Sequence, residues 1–140
     1  MTGSDLDNTL LYATTGNGLT MMSNRLSWFY DIRGVSLTLD TACSSSLVAL
    51  SLACQNIRNS KSDCRQSLVA GSNLILIPDQ MTTMNPLHFL SPDSQCFSFD
   101  ERANGYVRGE GVGVLILKHI DDAIRDGDCI RAVIRNVECN

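Results

Sequence analysis

The seven residues from Thr41 to Leu47, TACSSSL, restrict the fold more than any other part of the chain, because they join two contrasting patterns. In residues 35–40, apolar side chains alternate with Ser, Thr and Asp, a period of two that predicts a strand. Residues 47–58 carry apolar side chains on nearly every side of a helix, which predicts that the helix is buried. The sequence therefore predicts a sharp strand-to-helix turn that carries Cys43.

Cys43 is the candidate nucleophile. The free N–H groups at the start of a helix stabilise an adjacent anion by up to about 2 kcal/mol, and a thiolate held there can attack an acyl carbonyl. The backbone N–H of Cys43 is also a candidate oxyanion donor. Asp40 opposes the thiolate unless hydrogen bonds neutralise its charge. The three serines at positions 44–46 are expected to cap the helix.

A catalytic base is harder to find, because the chain contains two histidines. His119 ends a predicted strand and is expected to be structural. His88 lies in a predicted loop or helix end, and it is the better candidate for approaching a substrate. Neither histidine stands in a pattern typical of a base, so part of the catalytic machinery is expected to be missing from these residues.

Composition excludes several other classes of protein. A net charge of −4 without a basic patch argues against nucleic acid or an anionic membrane as a partner. The first ten residues lack the basic and apolar regions of a secretory signal, and no apolar run reaches the roughly 18 residues of a membrane span. We therefore expect a cytoplasmic location.

The six cysteines, at positions 43, 54, 64, 96, 129 and 139, form no CxxC pair. Without such spacing or clustered histidines, no zinc site is expected, and disulfides are not expected without export. Small buried apolar roles are expected for Cys54, Cys64, Cys129 and Cys139. This reading fits Cys96 less well because Cys96 lies in a polar loop.

The rest of the chain alternates helices and strands, which predicts an α/β fold with buried strands. The glycines at 105–113 do not match GxGxxG and lead into a strand, so nucleotide binding is not predicted. Arg108 and Glu110 are expected to form an ion pair. The other predicted elements are a helix at 19–30, a strand from 67 through 71, a helix starting at Pro78, an irregular stretch at 90–108, a strand at 111–119, a helix at 121–125 and a strand at 129–137.

Residues 34–50, GVSLTLDTACSSSLVAL, closely resemble the active-site segment of β-ketoacyl synthase (ketosynthase) domains in type I polyketide synthases. Five further segments resemble the same family in the same order. The segments are TGN at 15–17, SNRLSWFY at 23–30, VAGSN at 69–73, LSPD at 90–93 and FDERANGYVRGEG at 99–111. The details are similar to fungal reducing synthases.

The resemblance implies a thiolase-like fold with α-β-α-β-α layers, of which residues 1–140 would form the N-terminal half. These residues would be one partial ketosynthase domain, with no second domain, and the full domain would be a homodimer. Cys43 would accept an acyl chain from the phosphopantetheine of an acyl carrier protein, and decarboxylative condensation with a malonyl unit would extend it. No directly bound cofactor or metal is expected. The partners would be the carrier protein and other synthase domains of the same polypeptide.

Family members also use two histidines, in an HGTGT-type and an N-x-G-H-type motif, and neither motif occurs here. The isolated fragment is therefore expected to be inactive. Val35, Ser94 and Asn104 depart from the usual proline, glycine and aspartate, which affects loop conformation and not chemistry. Two alternatives stay open: a fatty-acid-type condensing enzyme, and a non-catalytic remnant. The sequence does not specify the starter unit, chain length, reduction level or product.

Overall fold

A computed structural model describes residues 11–139, in which helices alternate with two strands. The segment judged to lack an export signal, residues 1–10, lies outside the described residues. The elements are α1 (Ala13–Asn17), α2 (Thr20–Phe29), α3 (Ser45–Arg58), β1 (Gln66–Asn73), α4 (Asp79–Met84), a 3₁₀ turn (Asn85–Leu87), β2 (Gly111–Lys118) and α5 (Ile120–Asp126). The predicted helices at 19–30, after Pro78 and at 121–125 are confirmed, as is the α/β class.

The chain divides into two compact units. Of the described residues, 11–67 and 118–139 belong to the first unit and 68–117 to the second. The first unit contains α1, α2, α3 and α5. The second contains α4, the 3₁₀ turn and most of β1 and β2, which pair to form a two-stranded sheet. The predictions of strands at 67–71 and 111–119 are thus confirmed.

The two other predicted strands, 35–40 and 129–137, were wrong, since neither segment forms a strand. A strand is defined by backbone pairing with a neighbour, and a period-2 pattern does not supply the neighbour. The first segment instead attaches to α2 through side chains. The Ser27 hydroxyl donates to Ser36 Oγ at 2.9 Å, and the Thr38 hydroxyl donates to Ser23 Oγ at 3.0 Å. The polar side of the alternating segment therefore faces α2.

The segment that follows α5 is attached through an arginine at the end of α3. The Arg58 guanidinium donates to the carbonyl oxygens of Ile134 and Arg135, at 3.2 and 2.6 Å. An arginine fork can satisfy two carbonyl groups that have no strand partner. This contact was not predicted from the sequence, because 76 residues separate Arg58 from Ile134.

Little apolar surface is buried in the described part of the chain, where Val69 and Ala123 are the buried hydrophobic residues. The prediction that α3 is buried was wrong: no residue of α3 is buried, and Leu47 is 44% exposed. A helix that is apolar on every side needs packed layers all around it, and the described residues provide only part of such a shell.

All six cysteines are free, and none of them is fully buried. Cys54 and Cys64 are half-buried, which partly agrees with the expected apolar role. Cys129 and Cys139 are exposed, so the prediction of burial was wrong for them. Cys96 is exposed and accepts a hydrogen bond from the Val107 N–H at 3.2 Å.

Ion pairs connect the end of β2 to α5 and the residues after it. Lys118 Nζ contacts carboxylate oxygens of Asp126 and Asp128, each at 2.6 Å. Hydrogen bonds to Asp126 and then to Asp128 raise the pKa of Lys118. Gly127 ends α5 in the left-handed conformation, with φ of 72°, which glycine adopts without steric cost. The predicted end of this helix is confirmed.

Gly105 occupies a position in the second unit that only glycine fits. Its φ is +133°, and an added Cβ would lie 2.6 Å from the backbone nitrogen of Ser91. The neighbouring backbone groups are already hydrogen-bonded, from the Ser91 N–H to the Tyr106 carbonyl at 3.0 Å and from the Tyr106 N–H to the Phe89 carbonyl at 2.9 Å. The backbone cannot move aside without breaking these bonds.

We predict that Gly105→Ala destabilises a ketosynthase domain that contains this segment by about 2–4 kcal/mol, through left-handed strain and backbone overlap. Gly109→Ala is the matched control, since an added Cβ at Gly109 meets no atom within 4 Å. Urea unfolding of both variants measures the difference. Equal stability of the two variants would contradict the close approach at Gly105.

Candidate active site

Cys43 lies in a tight turn, residues 40–45, which we call the Cys43 turn. α3 begins at Ser45, two residues after the thiol, as the apolar pattern predicted. Ala42 has φ of +57°, in the left-handed region, which costs a residue other than glycine about 1–2 kcal/mol. The chain thus reverses direction through a strained residue immediately before the candidate nucleophile.

The peptide groups on both sides of Ala42 are held by hydrogen bonds. The Ala42 N–H donates to Asp40 Oδ1 at 3.0 Å, a side-chain turn typical of aspartate. The Ala42 carbonyl accepts from the Ser45 hydroxyl at 2.6 Å and from the Ser45 N–H at 3.1 Å. The Ser45 hydroxyl also accepts from the Thr41 N–H at 2.8 Å. These bonds offset the strain at Ala42.

The serines of the turn do not play the predicted capping role. Ser44 is the N-cap residue of α3, and its side chain makes no cap hydrogen bond. The Ser44 hydroxyl instead donates backward to the Thr41 carbonyl at 2.7 Å. The prediction was wrong because these hydroxyls stabilise the turn that precedes the helix, leaving the first N–H groups of α3 without side-chain caps.

The Cys43 thiol is exposed on this turn. Its backbone N–H donates to no acceptor within residues 11–139, whereas the N–H groups of Thr41, Ala42 and Ser45 all have acceptors. An N–H without an acceptor beside an accessible thiol is the arrangement that an oxyanion requires when a thiolate attacks a carbonyl. The turn can therefore support acyl transfer to sulfur.

His119 lies in the first unit as the N-cap residue of α5. Its carbonyl accepts from the Ala123 N–H at 2.9 Å, and its φ and ψ of −60° and 138° are extended. His119 stands between the end of β2 and the start of α5, where the backbone passes from strand to helix. This position agrees with the structural role expected from the sequence.

His88 lies in the second unit, at the end of the 3₁₀ turn, with φ of +55°. It lines a cavity of about 300 Å³ together with Met81, Leu90, Tyr106 and Arg108. His88 thus lies beside an open, concave surface of its own unit.

Arg108, on the same cavity, does not form the predicted ion pair with Glu110. Its guanidinium donates to Gln80 Oε1 at 2.8 Å and to Asn73 Oδ1 at 3.4 Å. Glu110 accepts a hydrogen bond from the Ile75 N–H. The prediction was wrong because each side chain has a nearer polar partner on another segment: Gln80 and Asn73 for Arg108, and the Ile75 N–H for Glu110.

Other kinds of site have little support in the part of the chain that the structure describes. Across residues 11–139, no three His, Cys, Asp or Glu side chains group in a way that would hold a metal ion. Over the same range, no helix combines the length and apolarity needed to cross a bilayer. The Cys43 turn remains the feature with the clearest chemistry.

Comparison with protein families gives one match that covers most of the chain. Residues 2–123 match the family described as "Beta-ketoacyl synthase, N-terminal domain". Among curated proteins, the highly reducing polyketide synthase 40 of Fusarium mangiferae is 57% identical over 129 residues, which are 92% of this chain. The highly reducing polyketide synthase azaB of Aspergillus niger is 55% identical over 136 residues, or 97% of this chain. The chain spans 5% of the length of each relative.

Solved structures agree with the sequence comparisons. The ketosynthase from module 6 of the bacillaene synthase of Bacillus subtilis 168 superposes with a TM-score of 0.77 and 40% identity. The match covers 87% of this chain and 22% of that one. The oxazolomycin ketosynthase domain OzmH KS7 of Streptomyces albus JA3453 superposes with a TM-score of 0.74 and 42% identity, over 79% of this chain and 20% of that one.

Proposed function

The chain belongs to the β-ketoacyl synthase family, and on that premise we propose that Cys43 is the acyl-accepting nucleophile of a polyketide synthase ketosynthase domain. The predicted thiolase-like fold agrees with the solved ketosynthases that the chain resembles, and the chain corresponds to their N-terminal part. We further propose that residues 1–140 belong to one domain whose remaining part completes the active site.

The proposed reaction has two steps at Cys43. In the first, the thiolate attacks the carbonyl of an acyl thioester, forms the Cys43 thioester and releases the phosphopantetheine thiolate, which takes a proton. In the second, a malonyl thioester loses carbon dioxide, and the resulting carbanion equivalent attacks the Cys43 thioester. The new carbon–carbon bond yields a β-ketoacyl thioester, and the Cys43 thiolate leaves.

The geometry of the Cys43 turn carries this proposal. An exposed thiol precedes a 14-residue helix, and the adjacent N–H finds no acceptor among the described residues. In the tetrahedral intermediate, this N–H can donate to the oxygen that becomes negatively charged. The helix dipole favours the same charge. Both groups would lower the barrier to acyl transfer.

Condensation in this family requires two histidines in motifs that these 140 residues do not contain. The chain has two histidines, and neither stands in an HGTGT-type or N-x-G-H-type motif. We propose that two further histidines of the complete domain act in decarboxylation and condensation. The chain by itself would then hold the acyl-accepting half of the active site.

The remaining parts of the proposal rest on the family. The substrates would arrive on the phosphopantetheine of an acyl carrier protein, and no other cofactor would bind directly. The relatives are named as highly reducing polyketide synthases and are far longer than this chain, which supports partner domains in the same polypeptide. We propose a homodimeric ketosynthase domain with a cytoplasmic location.

The direct test is acyl transfer from a short acyl-phosphopantetheine thioester. Residues 1–140 are fused to the part of the ketosynthase domain that follows the matching segment in the Fusarium mangiferae relative. We call this fusion protein the completed domain. We expect the protein mass to rise by one acyl group, and peptide mapping to locate that group on Cys43. Acylation at another cysteine, or none, would contradict the proposal.

A further inference from the structure

We propose that Asp40 is a positioning residue for Cys43, acting through the backbone of Ala42. The inference rests on the proposed function in one respect, namely that Cys43 is the nucleophile that the turn presents. Asp40 is exposed, and its carboxylate accepts the Ala42 N–H at 3.0 Å. It thereby contacts Ala42, the strained residue of the Cys43 turn.

The hydrogen bond selects the conformation of Ala42. A residue with a Cβ adopts φ of +57° only when its surroundings hold it there. The Asp40 carboxylate fixes the N–H side of Ala42, while Ser45 fixes the carbonyl side. Without the carboxylate, the Thr41–Ala42 peptide loses the acceptor of its N–H, and the left-handed conformation of Ala42 is held from the carbonyl side alone. The Cys43 thiol and its N–H would then point in a fixed direction for a smaller fraction of the time.

In this proposal, the Asp40 carboxylate matters as a hydrogen-bond acceptor. Because Asp40 accepts the Ala42 N–H, part of its charge is taken up by the backbone. The carboxylate therefore acts as a hydrogen-bond acceptor, and we expect a neutral acceptor to replace it.

The experiment compares Asp40→Asn with Asp40→Ala in the completed domain. Both substitutions remove the same negative charge, but only asparagine retains an acceptor for the Ala42 N–H. The measured quantity is the rate of Cys43 alkylation by iodoacetamide, together with the rate of Cys43 acylation. We expect Asp40→Asn to react about five- to ten-fold faster than Asp40→Ala in both assays, the effect of one neutral hydrogen bond that holds a strained conformation.

A second substitution separates positioning from a loss of folding. Glycine adopts φ near +57° without steric cost, so Ala42→Gly reduces the need for the Asp40 acceptor. We expect the double variant Asp40→Ala with Ala42→Gly to recover most of the rate lost in Asp40→Ala. The control is Asp63→Ala, because Asp63 is exposed and its side chain makes no hydrogen bond within residues 11–139. We expect Asp63→Ala to react at the unsubstituted rate.

The outcomes distinguish this inference from the proposed function. Equal rates for Asp40→Asn and Asp40→Ala would overturn the role of Asp40, and so would a failure of Ala42→Gly to rescue. If Cys43 of the unsubstituted domain is alkylated but never acylated, the proposed function fails. The alkylation ratio would still decide whether Asp40 positions Cys43.

Discussion

Cys43→Ala is expected to abolish acyl loading and condensation in the completed domain, with a loss of at least about a thousand-fold in rate. The thiol is the atom that the acyl group joins in the proposed reaction, and no neighbouring side chain of the turn can replace a thiolate as nucleophile. Ser44 and Ser45 are engaged by the backbone of the turn. The loss is measured as acyl-enzyme formed per protein by intact mass, and as product by chromatography.

Cys54→Ala is the matched control for this experiment. Cys54 lies on α3, eleven residues beyond Cys43, and its thiol is half-buried. Its removal leaves the Cys43 turn unchanged, so acyl loading is expected to stay within about two-fold, with only the small stability loss of a shortened side chain. Retained acyl loading in Cys43→Ala would show that another residue accepts the acyl group.

The second large effect concerns the 140-residue chain on its own. We expect it to aggregate or to unfold without a cooperative transition, because it leaves large apolar side chains in contact with water. Trp28 is 83% exposed, Leu76 is 82% exposed and Ile116 is 74% exposed. Each apolar side chain of this size contributes about 1.5–3 kcal/mol when it is fully buried, so the folded chain lacks a large stabilising contribution. Binding of a hydrophobic dye and a thermal scan measure the effect.

The completed domain is the control for the isolated chain. A substitution on β2 then tests whether the added residues cover its apolar side chains. We expect the completed domain to unfold cooperatively. Ile116→Thr is expected to leave the isolated chain unchanged and to destabilise the completed domain by about 1–3 kcal/mol, if the added residues cover β2. A soluble monomer of the isolated chain with a sharp transition would contradict the expectation.

The local elements were predictable because their causes are local. The N-terminal turn of α3 follows from TACSSS before an apolar run, and the end of α5 follows from Gly127. β1 and β2 were found from continuous apolar patterns bounded by polar segments. Cys43 could be chosen among six cysteines because of its place before the helix, and the order of several motifs indicated the family.

Contacts between distant residues decided what the sequence could not. The alternating segments 35–40 and 129–137 have strand patterns but no strand partner in the described chain, so side-chain contacts from α2 and Arg58 hold them instead. The burial of α3 was predicted from composition, yet burial depends on which layers surround a helix. The separate partners of Arg108 and Glu110 likewise depend on which elements lie beside the strand.

By itself, the sequence determined the nucleophile candidate, the turn that begins α3, the α/β class and the family, since each depends on residue type and spacing within a short stretch. The tertiary structure decided that Ala42 is left-handed, that Asp40 and Ser45 hold its two peptide groups, and that the Cys43 N–H has no acceptor among the described residues. The physical reason is that several backbone conformations satisfy the same residue pattern. Only the complete set of hydrogen bonds around the turn selects the strained one.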